Sequence, residues 1–353
     1  MTAMTALTVP ARLEEDASLR PVPWRRMAWV TWRQHRVALG GVAALLGALA
    51  VYVWILGLQL HHAYAAATTC NPASSACADL ITNFNFMNHV LVGGYTLQLV
   101  PPLIGAFVGA PVLARELETG TFRYAWTQGF GRSRWALGKL VALAVVVTAT
   151  AGAFSVLVSW YYQPYFAATG HPALDLSEAS PFSLALFDLR GVVFALGTLA
   201  AFAIGGLAGM LIRRVVPAIV ATLAAYTGLA LVAANLLRQH YLSPLLTKAV
   251  NVPGSAWIMS QWWTKGGRFA FTSWRDAPNH LIQLCVALPA GPLGKPSQET
   301  LAQCFAQHGY TQLTSYQPAG RFWAFQWIEG GWLLALSVLL IAATVWVVSR
   351  RAA

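Results

Sequence analysis

Charge is what this sequence has least of. Only 10% of its 353 residues are Asp, Glu, Lys or Arg, and 57% are hydrophobic, whereas a soluble domain carries about 25% charged residues. That composition excludes an ordinary soluble enzyme and predicts an integral membrane protein. The scarcity is also local. Val37 to Ala114 contains no Lys or Arg, and neither does Tyr161 to Pro181. The net charge is nonetheless +11. In a soluble protein such a balance points to nucleic acid. Here the basic residues sit beside apolar runs, as membrane topology requires, so no nucleic-acid partner is expected.

Several kinds of chemistry are missing as well. There is no HExxH, no pair of carboxylates within an apolar run, and no ionisable residue deep in one, which would mark a proton- or ion-coupled pump. Gly291-Pro-Leu-Gly294-Lys295-Pro-Ser297 falls short of a phosphate loop. Pro289 holds the position of its first glycine, and Pro296 follows the lysine. The histidines are scattered through the segments between apolar runs and read as surface residues. No catalytic residue, metal site or cofactor is therefore assigned to this chain. Cysteine is sparse too. Cys70, Cys77, Cys285 and Cys304 allow three pairings; the local ones, Cys70–Cys77 and Cys285–Cys304, are expected, each within one loop on an oxidising face.

What is present is a series of membrane-length runs. A hydrocarbon core of about 30 Å needs about 20 helical residues. Six runs qualify: Val37–Leu60, Leu91–Ala114, Trp135–Trp160, Phe187–Leu211, Pro217–Leu236 and Phe325–Val348. Residues 1–23 are polar, lack the apolar core of a cleavable signal peptide, and are expected to be a disordered cytoplasmic tail. Residues 24–36 place Arg25, Arg26, Arg33 and Arg36 on one arc of a helical wheel, which predicts an interfacial helix with its basic face toward lipid headgroups. His61 to Asn88 reads as a polar loop. Pro101, Pro102 and Pro111 should kink the second run. Gly197, Ala201, Gly205 and Gly209 recur every four positions in the fourth, a close-packing face. Residues 37–236 thus hold five spans, 237–321 a disulfide-stapled extracellular segment rich in Trp, and 322–353 the sixth span and the C-terminus.

Lys and Arg counts decide the orientation. The N-terminal flank, the Leu113–Leu140 island, Arg213-Arg214 and Arg350-Arg351 are basic, while the two short outer loops have neither residue type. Both termini and the island are therefore expected in the cytoplasm, with the cysteines outside.

The island reads Glu116-Leu-Glu118-Thr-Gly120-Thr121, then Arg123, then Gly131-Arg-Ser-Arg134 and Lys139. This motif, the six-span topology and the missing ATPase resemble the permease subunits of bacterial type-2 (ABC-2) ABC exporters, which are similar to the membrane domains of G-subfamily ABC transporters. The resemblance implies an all-α integral membrane fold with a connecting helix at 24–36 and a cytoplasmic coupling helix at 115–134. Glu116, Glu118, Gly120, Thr121, Arg123 and Arg134 would then meet a separate ABC ATPase, present in two copies, which binds ATP and Mg. It also implies a second permease chain, a homodimer rather than a heterodimer, surrounded by membrane lipids in a bacterial plasma membrane. A pathway between spans two and five is implied, with Tyr95, Gln98, Tyr226 and Asn235 as its lining. The expected cargo is amphipathic: a drug, a peptide antibiotic or a lipid. Two other readings remain open, a non-transporting immunity or sensor protein that binds a peptide, and a membrane-embedded lipid-modifying enzyme.

Overall fold

The computed structural model describes residues 24–71, 74–92, 94–120, 132–168, 180–248, 252–286 and 298–351. Six helices among them are long and apolar enough to cross a membrane. Spans one to six are Leu39–Thr69, Thr96–Thr119, Ser133–Tyr161, Gly191–Ile212, Val215–His240 and Ala319–Arg350.

Span one belongs to a single helix, Trp24–Thr69. The basic segment 24–36 is helical, but it continues into the span rather than standing as a separate element, because no proline interrupts it. His61–Thr69 is helix rather than loop. Its run of Ala63, Ala65, Ala66 and Ala67 has the highest helix propensity available. A second helix, Ser75–Val92, packs on the first, and the Cys70–Cys77 disulfide clamps the turn between them.

Span two is built from pieces: a 3-10 stretch Gly94–Leu99, a helical turn Val100–Ile104, a π turn Gly105–Gly109 and a helix Ala110–Thr119. Proline supplies no N–H, and its ring collides with the carbonyl four residues back. Pro111 sits just after the π turn, where the helix widens and the Ala110 N–H donates to the Gly105 carbonyl. Span four lies at the centre of the bundle and touches spans two, three, five and six. Its small-residue face meets the π turn. A Cβ on Gly109 would stand 2.6 Å from the Phe202 carbonyl oxygen, so only glycine admits this approach. Spans one and five are the least buried.

The expectation of an all-α chain fails between spans five and six. That segment holds a four-stranded antiparallel sheet, order β1-β4-β2-β3, from β1 Leu245–Thr247, β2 Trp257–Lys265, β3 Arg268–Phe271 and β4 Tyr310–Gln317. Aromatic and β-branched residues favour a pleated, half-buried surface. Gly266 and Gly267 both take positive φ, the two-residue hairpin turn that only such residues make without strain. Helices Asn279–Val286 and Gln298–Gln307 are joined by the Cys285–Cys304 disulfide, and Trp263, Phe271, Leu281, Phe305 and Tyr310 form a core of their own. The sheet rests on the bundle through Trp257, which stacks 5.7 Å from Phe182 and meets Phe325 of span six edge-on.

Candidate functional site

Two clusters of charge tie the bundle together, one at each end. The first lies where span two ends. Gly120 closes that helix in the left-handed conformation, φ 72°, the usual way a helix is stopped. One turn earlier, the Glu116 carboxylate accepts from Lys139 Nζ of span three. Lys139 is 2% exposed, and its ammonium also stands 5.4 Å over the Trp135 ring. Glu118 Oε2 accepts from the Val215 backbone N–H, 3.1 Å, at the first turn of span five. Helix N-termini attract anions through their unsatisfied N–H groups and dipole. The turn that delivers Val215 contains Arg213 at φ 58°. Arg134 is half-buried. Thr121 and Arg123 lie outside the described residues. Glu116 and Glu118 therefore bind spans two, three and five to one another, which sequence spacing alone did not reveal.

The second cluster lies at the sheet end. Arg238, 2% exposed, closes span five after a second π turn, Ala233–Leu237. Its guanidinium donates to both Glu329 oxygens of span six, Nε to Oε2 at 3.0 Å and Nη2 to Oε1 at 2.8 Å. Nη2 also donates to Asp188 Oδ1, and the group lies 4.0 Å over the Phe187 ring. Glu329 is some 15 Å along span six from Ala319. Glu329 is buried, and its charge is tolerated there because it is paired. Gln326, one turn before Glu329, accepts from the Val193 N–H and donates to the Phe187 carbonyl, locking span six to the start of span four.

Asp188 carries an extra proton affinity. Burial, with Glu329 nearby, pushes its carboxyl up to about 6, against the opposing pull of Arg238. Arg190 is brought down to about 10 by burial, and its guanidinium rests on the rings of Phe166 and Phe322, 4.1 and 5.0 Å away. Tyr162, nearby, is pushed up to about 12 by burial. The Asp188 side chain is 28% exposed, and what it faces is a cavity of about 190 Å³ between spans two, four and five.

Gln98, Pro101 and Pro102 line that cavity from span two, Phe194 from span four, and Tyr226 and Thr227 from span five. Gly197 leaves room for the Tyr226 hydroxyl, since a Cβ there would be 3.0 Å from it. Of the four residues expected along a pathway, Gln98 and Tyr226 come together here. Asn235 is exposed and donates to the Leu231 carbonyl of its own helix, 2.9 Å, so it does not join them. Of Tyr95 only the backbone is described. Asp188 was not on that set; the signal was a lone carboxylate at the mouth of an apolar run. The cavity offers one carboxylate, one phenol, one amide and the Thr227 hydroxyl within apolar walls.

In the sheet domain, Cys285, Cys304 and His308 bring potential ligand atoms within 4.8 Å, but the sulfurs are joined to each other, which leaves no thiolate to bind a metal.

Residues 43–238 match the family described as ABC-2 membrane transporter related. The match begins in span one and ends at Arg238, so the sheet domain and span six lie beyond it. No curated protein matches the chain, and no solved structure does.

Proposed function

Because the chain belongs to the ABC-2 membrane transporter related family, we propose that it is the membrane permease of an ATP-driven exporter whose ATPase is a separate polypeptide. Family membership carries the permease role and the general need for an ABC ATPase partner. Export, the cargo and the mode of coupling are our own reading.

In this reading ATP and Mg bind the ATPase, two copies of which act beneath two permease chains in a bacterial plasma membrane. Both termini and the island face the cytoplasm, and residues 115–134 receive the stroke. Glu116 passes it to span three through Lys139, and Glu118 to span five through Val215. Span five lines the cavity and span three packs on span four, which also lines it, so a shift at the island reaches its walls through rigid elements. The cargo is amphipathic, with a basic group that meets Asp188 and an apolar body against Pro101, Pro102 and Phe194. The single observation that carries the reading is the meeting of Gln98, Tyr226 and Asp188 around one cavity within the region that defines the family.

The test is co-purification with the cognate ATPase in nanodiscs, followed by ATP turnover with tetraphenylphosphonium as a cationic amphipathic probe. A stable complex whose turnover rises with the probe, and rises less in Asp188→Asn, is the expected result. If no complex forms and the permease leaves turnover unchanged, the exporter reading is lost. If a hydrolysis-dead ATPase gives the same cellular protection from a toxic cargo, the protein sequesters rather than transports.

A further inference from the structure

The sheet domain has a cavity of its own, about 330 Å³, lined by Gln261, Trp263, Gln312, Trp274, Thr272 and Ser273, with Leu301 behind them. It is larger than the cavity in the bundle and falls within the range of small-molecule sites, roughly 300 Å³ upward. We propose that it binds a neutral, hydroxyl-rich ring, a single saccharide unit.

Three observations lead there. The first is register. Trp263 pairs with Gln312 and Gln261 with Thr314 across β2 and β4. Directly opposed residues share a face, and side chains two apart along a strand do too. One sheet face therefore presents an indole flanked by two carboxamides. Trp263 belongs to the core of this domain and is 6% exposed, with Phe305 edge-on to it, ring centroids 4.8 Å apart, so it is a fixed floor rather than the stacking face. Trp274, on the short 3-10 turn after β3, stands as a wall and is 37% exposed. That turn is fixed by reciprocal bonds between Ser273 and Asp276, and Arg275 lies 5.4 Å over the Trp274 ring.

The second observation is charge. Among the described residues, no Asp, Glu, Lys, Arg or His lines the cavity. A phosphate, a carboxylate or an ammonium would find no countercharge among these lining side chains, and desolvating an unpaired charge is costly. Carboxamides and hydroxyls each donate and accept, which suits a ligand whose polar groups do the same. The exposed indole of Trp274 suits an apolar C–H surface. A pyranose ring carries both.

The third is the place of the site in the sheet. β2 and β4 are the central strands, and their backbone groups are already paired with one another. A peptide added to a sheet needs an open edge, which this face lacks. Side chains alone recognise the ligand. Trp257, at the end of β2 that packs on span six, is four residues from Gln261 and six from Trp263. At about 3.3 Å per residue the cavity stands about 13–20 Å beyond that contact. The sugar can be free, or it can be a lipid headgroup that reaches up to it. The proposal is independent of the exporter reading.

The test uses the full chain in nanodiscs prepared without sugar detergents. Saturation-transfer NMR is run with methyl α-glucoside, methyl β-galactoside and methyl N-acetyl-β-glucosaminide. At least one is expected to receive saturation and to bind at least 10-fold more weakly to Trp274→Ala and to Thr272→Arg. Thr272 is exposed, so the arginine adds charge to the site without touching the core. Trp327→Ala, far off on span six, should bind as the wild type does. An oxidised Cys285–Cys304 pair, checked by alkylation and mass, shows that each variant domain is folded. Nanodiscs that contain monoglucosyl-diacylglycerol separate the sources: loss of free glucoside binding in them indicates a headgroup, and unchanged binding a soluble sugar. No saturation of any glycoside, or saturation that both variants leave unchanged, overturns the proposal.

Discussion

The two charge clusters differ in their arithmetic. At the island end, one ammonium meets one carboxylate, Lys139 with Glu116, and the second carboxylate, Glu118, is matched by a helix N-terminus. At the sheet end, one guanidinium serves two carboxylates, Glu329 and Asp188. The first cluster is balanced and closed. The second has a carboxylate in excess, and the one less tightly enclosed opens on a cavity. Balance makes a joint, and excess makes a site. Removing the cation should therefore hurt both ends, but the sheet end more, and only the island end should recover fully when its partner is neutralised as well.

The largest effect is expected from Arg238→Met. The buried Glu329 and the partly exposed Asp188 would then face each other without a cation, and breaking a buried pair in this way costs about 3–5 kcal/mol. Thermal unfolding in nanodiscs should show a large fall in Tm. Adding Glu329→Gln should restore part of it, because Asp188 still lacks its partner. A variant as stable as the wild type would mean that the cluster does not hold spans four, five and six together.

Lys139→Met should cost less, about 2–3 kcal/mol, since Glu116 is 17% exposed and water relieves some of the penalty. Here the double variant with Glu116→Gln should return close to wild type, because replacing a whole buried pair by neutral groups is often nearly free. Incomplete recovery at the island and full recovery at the sheet end would reverse the comparison.

This contrast also marks how far the sequence can be read. The six spans were legible because an apolar run of 20 residues has no other use. The glycine face of span four was legible because its spacing matches a helix turn, and the local cysteine pairings because the partners are seven and nineteen residues apart. Arg238 and Glu329 are separated by 91 residues, and no local pattern encodes that meeting. The sheet was missed. The Gly266-Gly267 turn between two aromatic strands is a hairpin signal, but β4 enters between β1 and β2 from more than forty residues away, which only tertiary packing decides. Of the residues that the resemblance to known permeases puts along a pathway, Gln98 and Tyr226 meet at one cavity. Asp188 was missed, because a carboxylate at a span end reads equally well as a headgroup contact.

Asp188→Asn tests the excess itself. The change should move stability at pH 7 by no more than about 1 kcal/mol, since the Arg238 bond to Glu329 survives and an amide oxygen can still accept. Its signature is pH. The folded carboxyl is raised to about 6 from an ordinary value of 3.8, so the native state holds this proton more tightly than the unfolded chain. That contribution is fully present below about pH 4 and is lost as pH rises through about 6. Wild-type Tm measured relative to Asp188→Asn should therefore decline across that window and run flat above it. Parallel profiles would show that Asp188 is not the excess charge.

The smallest effect on stability is expected at Glu118, and that makes it the sharpest probe of the island. Its carboxylate sits at an exposed helix N-terminus, where such a contact contributes about 0.3–1 kcal/mol. Glu118→Gln should lower Tm by a degree or two at most. Glu118→Lys places a cation against the positive end of span five and should cost slightly more while leaving membrane insertion intact. Coupling should respond quite differently. If Glu118 ties the island to span five, either substitution should lower the probe-stimulated part of ATP turnover in the complex several-fold, Lys more than Gln, with basal turnover retained. A loss of stimulation far larger than the loss of stability separates transmission from simple capping. Normal transport by Glu118→Lys would leave Glu118 a helix cap and nothing more, and would move the burden of coupling to the Glu116–Lys139 joint.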